Sequence, residues 1–229
     1  MRKYIYLGAL VLPGLAAHSQ VSEKTVISAG DSISNHYSYL FPSYKEAKVK
    51  FRDGRSFTYK MDFNMLLCVM QYINTKGDTL QITNGELIDS IRMDSCAFTY
   101  DNQKGYFQII AVSDAASLAI NRTASFQFVQ KGAMDKSDQS SQVQMITDVN
   151  SRQGSIPLVS AQDTYVVRTT TYLLILKTGE MVTAGKNAFI RLYNGDKKTV
   201  EQYIKENKIN FNQQADLEKV FNFCTQSKN

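Results

Sequence analysis

The chain has 229 residues, 43% hydrophobic and 21% charged, with only 12 Gly and 3 Pro, which excludes a collagen-like, low-complexity or wholly disordered protein. Length and even composition suit one β-rich domain and leave little room for a second enzyme domain. The formal charge of +5 is too mild to call for nucleic acid as a partner.

The first residues read as an address. Arg2 and Lys3 precede an apolar stretch from Tyr4 to Leu12, Pro13-Gly14 breaks it, and Ala16, Ala17, His18 and Ser19 follow. This is the pattern of a signal peptide, and the small residues Ala17 and Ser19 place its end at residue 19, with cleavage before Gln20. No cysteine follows to accept a lipid, and the apolar run is far shorter than the roughly 20 residues of a membrane-spanning helix. The expectation is therefore a secreted protein, periplasmic or extracellular, that is not an integral membrane protein. The mature chain would have 229 − 19 = 210 residues and a charge of (26 − 2) − 21 = +3.

Residues 20–36 are polar and unpatterned and read as a flexible lead, holding His36, the single histidine left after cleavage. One histidine rules out a metal site built from several imidazoles. Tyr37 to Tyr44 gathers aromatics around Pro42 and reads as an extended segment laid on the core. From Lys45 the period is two: Phe57, Tyr59, Met61 and Phe63 alternate with polar residues. A three-residue loop, Arg52-Asp53-Gly54, sets Val49 against Phe57 and Ala47 against Tyr59, which keeps one face apolar.

Further short runs follow, each bounded by turn residues: Leu66 to Ile73 (apolar on both faces, hence a central strand), Leu80 to Ile82, Leu87 to Met93, Cys96 to Tyr100, Tyr106 to Val112, Ser117 to Arg122 and Ser125 to Val129. Residues 130–163 are dominated by Gln, Ser, Asp, Lys and Gly and read as a polar insertion without structure, with a binding element as the alternative. The sheet resumes with Thr164 to Arg168, Thr171 to Lys177 and Met181 to Thr183. Helices are expected at Asn187 to Tyr193, at Lys197 to Asn207 capped by Asp196, and after Asn212, where Leu217, Val220, Phe221 and Cys224 follow helical spacing. Short strands joined by short turns pair antiparallel. The fold class is therefore mainly β with C-terminal α: an antiparallel meander of about eight to ten strands, curled or barrel-like, packed with amphipathic helices at about 187–225. Residues 37–229 form a single globular domain.

The run Tyr39-Leu-Phe-Pro42, Ala47 to Phe51, Asp53-Gly54, Met70 to Ile73 and Gly77 to Leu80 resembles the opening of an uncharacterised family of exported bacterial β-rich proteins. Ala188 to Tyr193, Glu201 to Lys208 and Asp216 to Lys219 resemble its close. The resemblance implies export; the family has no established activity, so the resemblance supplies no functional residues.

No nucleophile elbow, dinucleotide or phosphate loop, zinc-protease helix or calcium loop occurs. No catalytic, cofactor-binding or metal-binding residue is therefore assigned, and no cofactor is expected. Asp89 shares strand parity with Leu87, Ile91 and Met93 and is the one acid with an inward reading, for which a bulge or strand-end hydrogen bond is the alternative to catalysis. Cys68, Cys96 and Cys224 are odd in number without a C-x-x-C pair, so free buried thiols are expected, with a Cys68–Cys96 bridge as the alternative. The leading function is a non-catalytic exported envelope protein that binds or supports an unknown envelope protein or lipid. A carrier of an apolar ligand inside a closed β-sheet and a histidine-independent hydrolase near Asp89 are the alternatives.

Overall fold

The computed structural model describes residues 19–28, 32–33, 37–128, 158–159, 164–193 and 195–226. Residues 1–18, which include most of the expected signal peptide, His36 and most of residues 130–163 lie outside the described residues. In chain order the strands are β1 (Gln20–Ile27), β2 (Ser32–Ile33), β3 (Lys45–Phe51), β4 (Ser56–Asn64), β5 (Val69–Ile73), β6 (Thr79–Gln81), β7 (Ile88–Met93), β8 (Cys96–Asp101), β9 (Gly105–Val112), β10 (Ala116–Phe128), β11 (Leu158–Val159), β12 (Thr164–Leu176) and β13 (Met181–Thr183). Helices α1 (Lys186–Leu192), α2 (Lys197–Glu206) and α3 (Gln214–Gln226) close the chain.

Local sequence accounts for most of these elements. The β3–β4 hairpin has the expected register, Val49 opposite Phe57 and Ala47 opposite Tyr59, and Gly54 takes φ of 91° in its loop, a conformation that costs glycine little. Asp196 caps α2 by accepting from the Lys198 amide at 3.0 Å.

Eleven strands form one antiparallel sheet in the order β1-β12-β10-β9-β8-β7-β3-β4-β5-β6, with β13 also on β12. Two meanders, β3 to β6 and β7 to β10 continued by β12, meet where β3 pairs β7. The sheet curls without closing. The corner between β4 and β5 reaches across to β10, where the Ala124 amide donates to the Met65 carbonyl at 2.9 Å.

That corner corrects one expectation. Met65 to Cys68 form a turn, with Cys68 at φ 55°, so the strand begins only at Val69. Met65 is 3% exposed because the corner packs on the sheet, and burial of a corner gives the same apolar run as burial of a strand. Asn64 holds the turn, its side-chain oxygen accepting from the Leu66 and Leu67 amides.

Gln20 to Ile27, read as part of a flexible lead, is an edge strand paired residue by residue with β12, from Gln20 opposite Thr171 to Ile27 opposite Thr164. Its polarity fits an edge, where most side chains meet water and backbone pairing supplies the attachment. Likewise Leu158 and Val159, inside the stretch read as insertion, pair with Ile33 and Ser32. β10 and β12 are each continuous strands of 13 residues, although the sequence suggests a break in each.

The core has two main parts. Leu118, Ile120, Tyr172 and Leu174 pack under α1 and α3 through Phe189, Leu217, Val220 and Phe221. At the other end Val49, Met61, Phe63, Met70, Ile91 and Phe98 fill the curl of β3 to β8. Between them the inner face turns polar.

Candidate functional site

Antiparallel pairing places residues directly opposite one another on the same face. One row across β1, β12 and β10 is therefore Val21, Thr170 and Arg122, and the next is Glu23, Arg168 and Ala124. On one side of these rows lie Tyr172 and Ile120, buried under the helices. On the other lie Val166 and Phe126 in a smaller apolar cluster with Ile27. Arg122 and Arg168 thus occupy positions that strand parity assigns to the core.

They line an open pocket of about 390 Å³ together with Glu23, Thr170 and Tyr172. Leu40 and Met65 form an apolar wall from the far side of the curl, and Asn212 closes in from the approach to α3.

Arg122 is the electrostatic anomaly. Burial holds its guanidinium below the usual arginine range, and the groups that offset this are Cys96 and Tyr172 rather than a carboxylate. Its Nη1 donates to Gln108 Oε1, and Gln108 Nε2 in turn contacts Cys96 Sγ at 3.3 Å. Among the described residues no carboxylate lies within ion-pair distance of it. A desolvated guanidinium is costly unless a counter-charge meets it, so the arrangement suits an anionic group flanked by something apolar.

No family model, curated protein or solved structure matches the chain.

The acid singled out by sequence lies elsewhere. A register shift between Lys50 and Phe51 passes over Asp89, and this bulge turns its side chain outward, where it meets Lys50 at 3.0 Å. The inward reading of Asp89 is corrected accordingly. Among the described residues the carboxylate that burial raises is Asp62 on β4, 0% exposed and raised to about 6, first by desolvation. Its Oδ1 accepts from the Phe63 amide at 2.7 Å and the Phe41 amide at 3.3 Å, which pins the Tyr37 to Tyr44 segment to the sheet. Tyr39 adds a 2.7 Å bond to Gln71. Asp62 therefore holds backbone, and Leu40 of the segment it holds is part of the cavity wall.

All three cysteines are free and no Cys68–Cys96 bridge forms; Cys224 is buried as expected, whereas Cys68 and Cys96 are only half-buried. Burial raises the thiol of Cys68 and pushes that of Cys224 up to about 12. Among the described residues no cluster of His, Cys, Asp and Glu is arranged to hold a metal, and no helix is long and apolar enough to cross a membrane.

Arg122 and Arg168 were legible in part. Leu118-x-Ile120-x-Arg122-x-Ala124-x-Phe126 and Val166-x-Arg168-x-Thr170-x-Tyr172-x-Leu174 each carry arginine at apolar parity. The sequence reading ends a strand at each of these arginines, whereas pairing of β10 with β12 carries both strands through them.

Proposed function

We propose that this is a non-catalytic exported envelope protein that binds an envelope component through an anionic group seated between Arg122 and Arg168. The observation that carries the reading is the Arg122 guanidinium lining the pocket on the inner face of the sheet, with no carboxylate within ion-pair distance among the described residues. A volume of about 390 Å³ lies within the ordinary range for small-ligand pockets, and the Val21, Leu40 and Met65 walls favour an anion that carries an apolar part. Enclosure of a wholly apolar ligand is less well supported, since the sheet is open and the pocket lining is charged.

Calorimetric titration with inorganic phosphate, acetate and decanoate tests the reading. Decanoate is expected to bind more tightly than acetate, and Arg122→Met and Arg168→Met are each expected to weaken binding at least tenfold, the loss of one charge-assisted hydrogen bond. Saturable binding by none of the three anions, or affinities unchanged in both variants, would reject it.

A further inference from the structure

We propose that the export cut falls upstream of Ser19, at the Ala16–Ala17 bond, so that Ser19 stays in the folded protein as a structural residue. The inference rests on the reading of the chain as exported and concerns which bond is cut. Two sites meet the small-residue requirement of a signal endopeptidase: Ala17 and Ser19 before Gln20, and Gly14 and Ala16 before Ala17. The sequence offers both, and the fold distinguishes them.

Ser19 is 0% exposed. Its hydroxyl donates to the Ala184 carbonyl at 2.5 Å, and its own carbonyl accepts from the Tyr172 amide at 2.9 Å. The second bond continues the β1–β12 ladder one pair beyond Gln20 opposite Thr171. Ala184 is itself fully buried at the junction of β13 and α1, and its amide donates to the Tyr172 carbonyl at 2.9 Å. Ser19, Tyr172 and Ala184 thus tie together the edge strand, the central strand beside it and the entry to the helices.

Cleavage after Ser19 would remove partners from a buried amide and a buried carbonyl at once, and would place a new ammonium at the first residue of the ladder. Buried backbone groups are paired in the great majority of cases. Cleavage after Ala16 leaves these bonds intact and puts the ammonium two residues upstream of Ser19. One water is consumed: its hydroxyl completes the Ala16 carboxylate on the leader, and the Ala17 nitrogen becomes the amine of the mature chain. The mature protein then has 229 − 16 = 213 residues and keeps both histidines, His18 and His36. Its terminus carries no glutamine to cyclise.

The test is to express the whole gene with its own leader and a carboxy-terminal tag, release the product by osmotic shock, and determine its first residue by intact mass and sequential degradation. Ala17 is expected, and any other first residue overturns the proposal. A start at Gln20 refutes retention of Ser19 while leaving export standing, and a start at Met1 refutes export as well. Independently, chains released from a fusion to begin at Ser19 or at Gln20 should differ in urea midpoint, the chain without Ser19 unfolding first and Ser19→Ala falling between. Equal midpoints would show that these bonds do not matter and would also overturn it.

Discussion

Replacement of Asp62 by asparagine should change how stability depends on pH. The carboxyl titrates near 6 in the fold against 3.8 when unperturbed, so the folded chain binds the proton more tightly than the unfolded one. The corresponding stabilisation is fully present below about pH 3.8 and is lost as pH rises through 6. A difference of about two pKa units corresponds to a ceiling of about 3 kcal/mol, which is large beside a typical 5–15 kcal/mol total. Asp62→Asn keeps an oxygen to accept from the Phe63 and Phe41 amides but cannot ionise. Its Nδ2 takes the place of Oδ2, which has no hydrogen-bond partner among the described residues, and the cost of burying that amide does not vary with pH. Urea unfolding of both proteins at intervals from pH 4 to 7.5 isolates the ionisation, because other titrating groups cancel in the difference. The variant should gain on the native chain by about 1–3 kcal/mol across that range. A difference that stays flat, or that moves in favour of aspartate with rising pH, would refute the assignment of a desolvated, unfavourably charged Asp62.

Three other outcomes follow from packing and burial. Phe221 is 1% exposed on the buried side of α3, so Phe221→Ala should cost about 3–5 kcal/mol in chemical unfolding, and an unchanged midpoint would mean that the helix does not dock as described. A Cβ on Gly85 would sit 2.6 Å from the Tyr100 ring; Gly85→Ala should therefore lose about 1–3 kcal/mol, with Tyr100→Leu in the same chain restoring part of it. The Cys224 thiol, 2% exposed and pushed up to about 12, should resist alkylation at pH 8 in the folded protein and react once urea unfolds it, as peptide mass mapping would show.

By itself the sequence determined what short-range geometry controls. Gly54 and the alternation around it settle the β3–β4 register, because a turn of known length leaves only one pairing that keeps an apolar face. Spacing of Leu217, Val220, Phe221 and Cys224 likewise gives α3 and its buried side, and Asp196 gives the start of α2. Tertiary structure alone decided which distant segments meet. β1 is too polar to be recognised as a strand, and it becomes one because β12 offers a free edge. Asp89 faces outward because a bulge against β3 breaks the parity that a single strand would keep. Arg122 and Arg168 read as interruptions of apolar strands, yet pairing of β10 with β12 carries the backbone through them and leaves two guanidinium groups lining one cavity. Side-chain alternation along one strand is a local property, whereas partner choice depends on which backbone edges remain free once the whole sheet has formed.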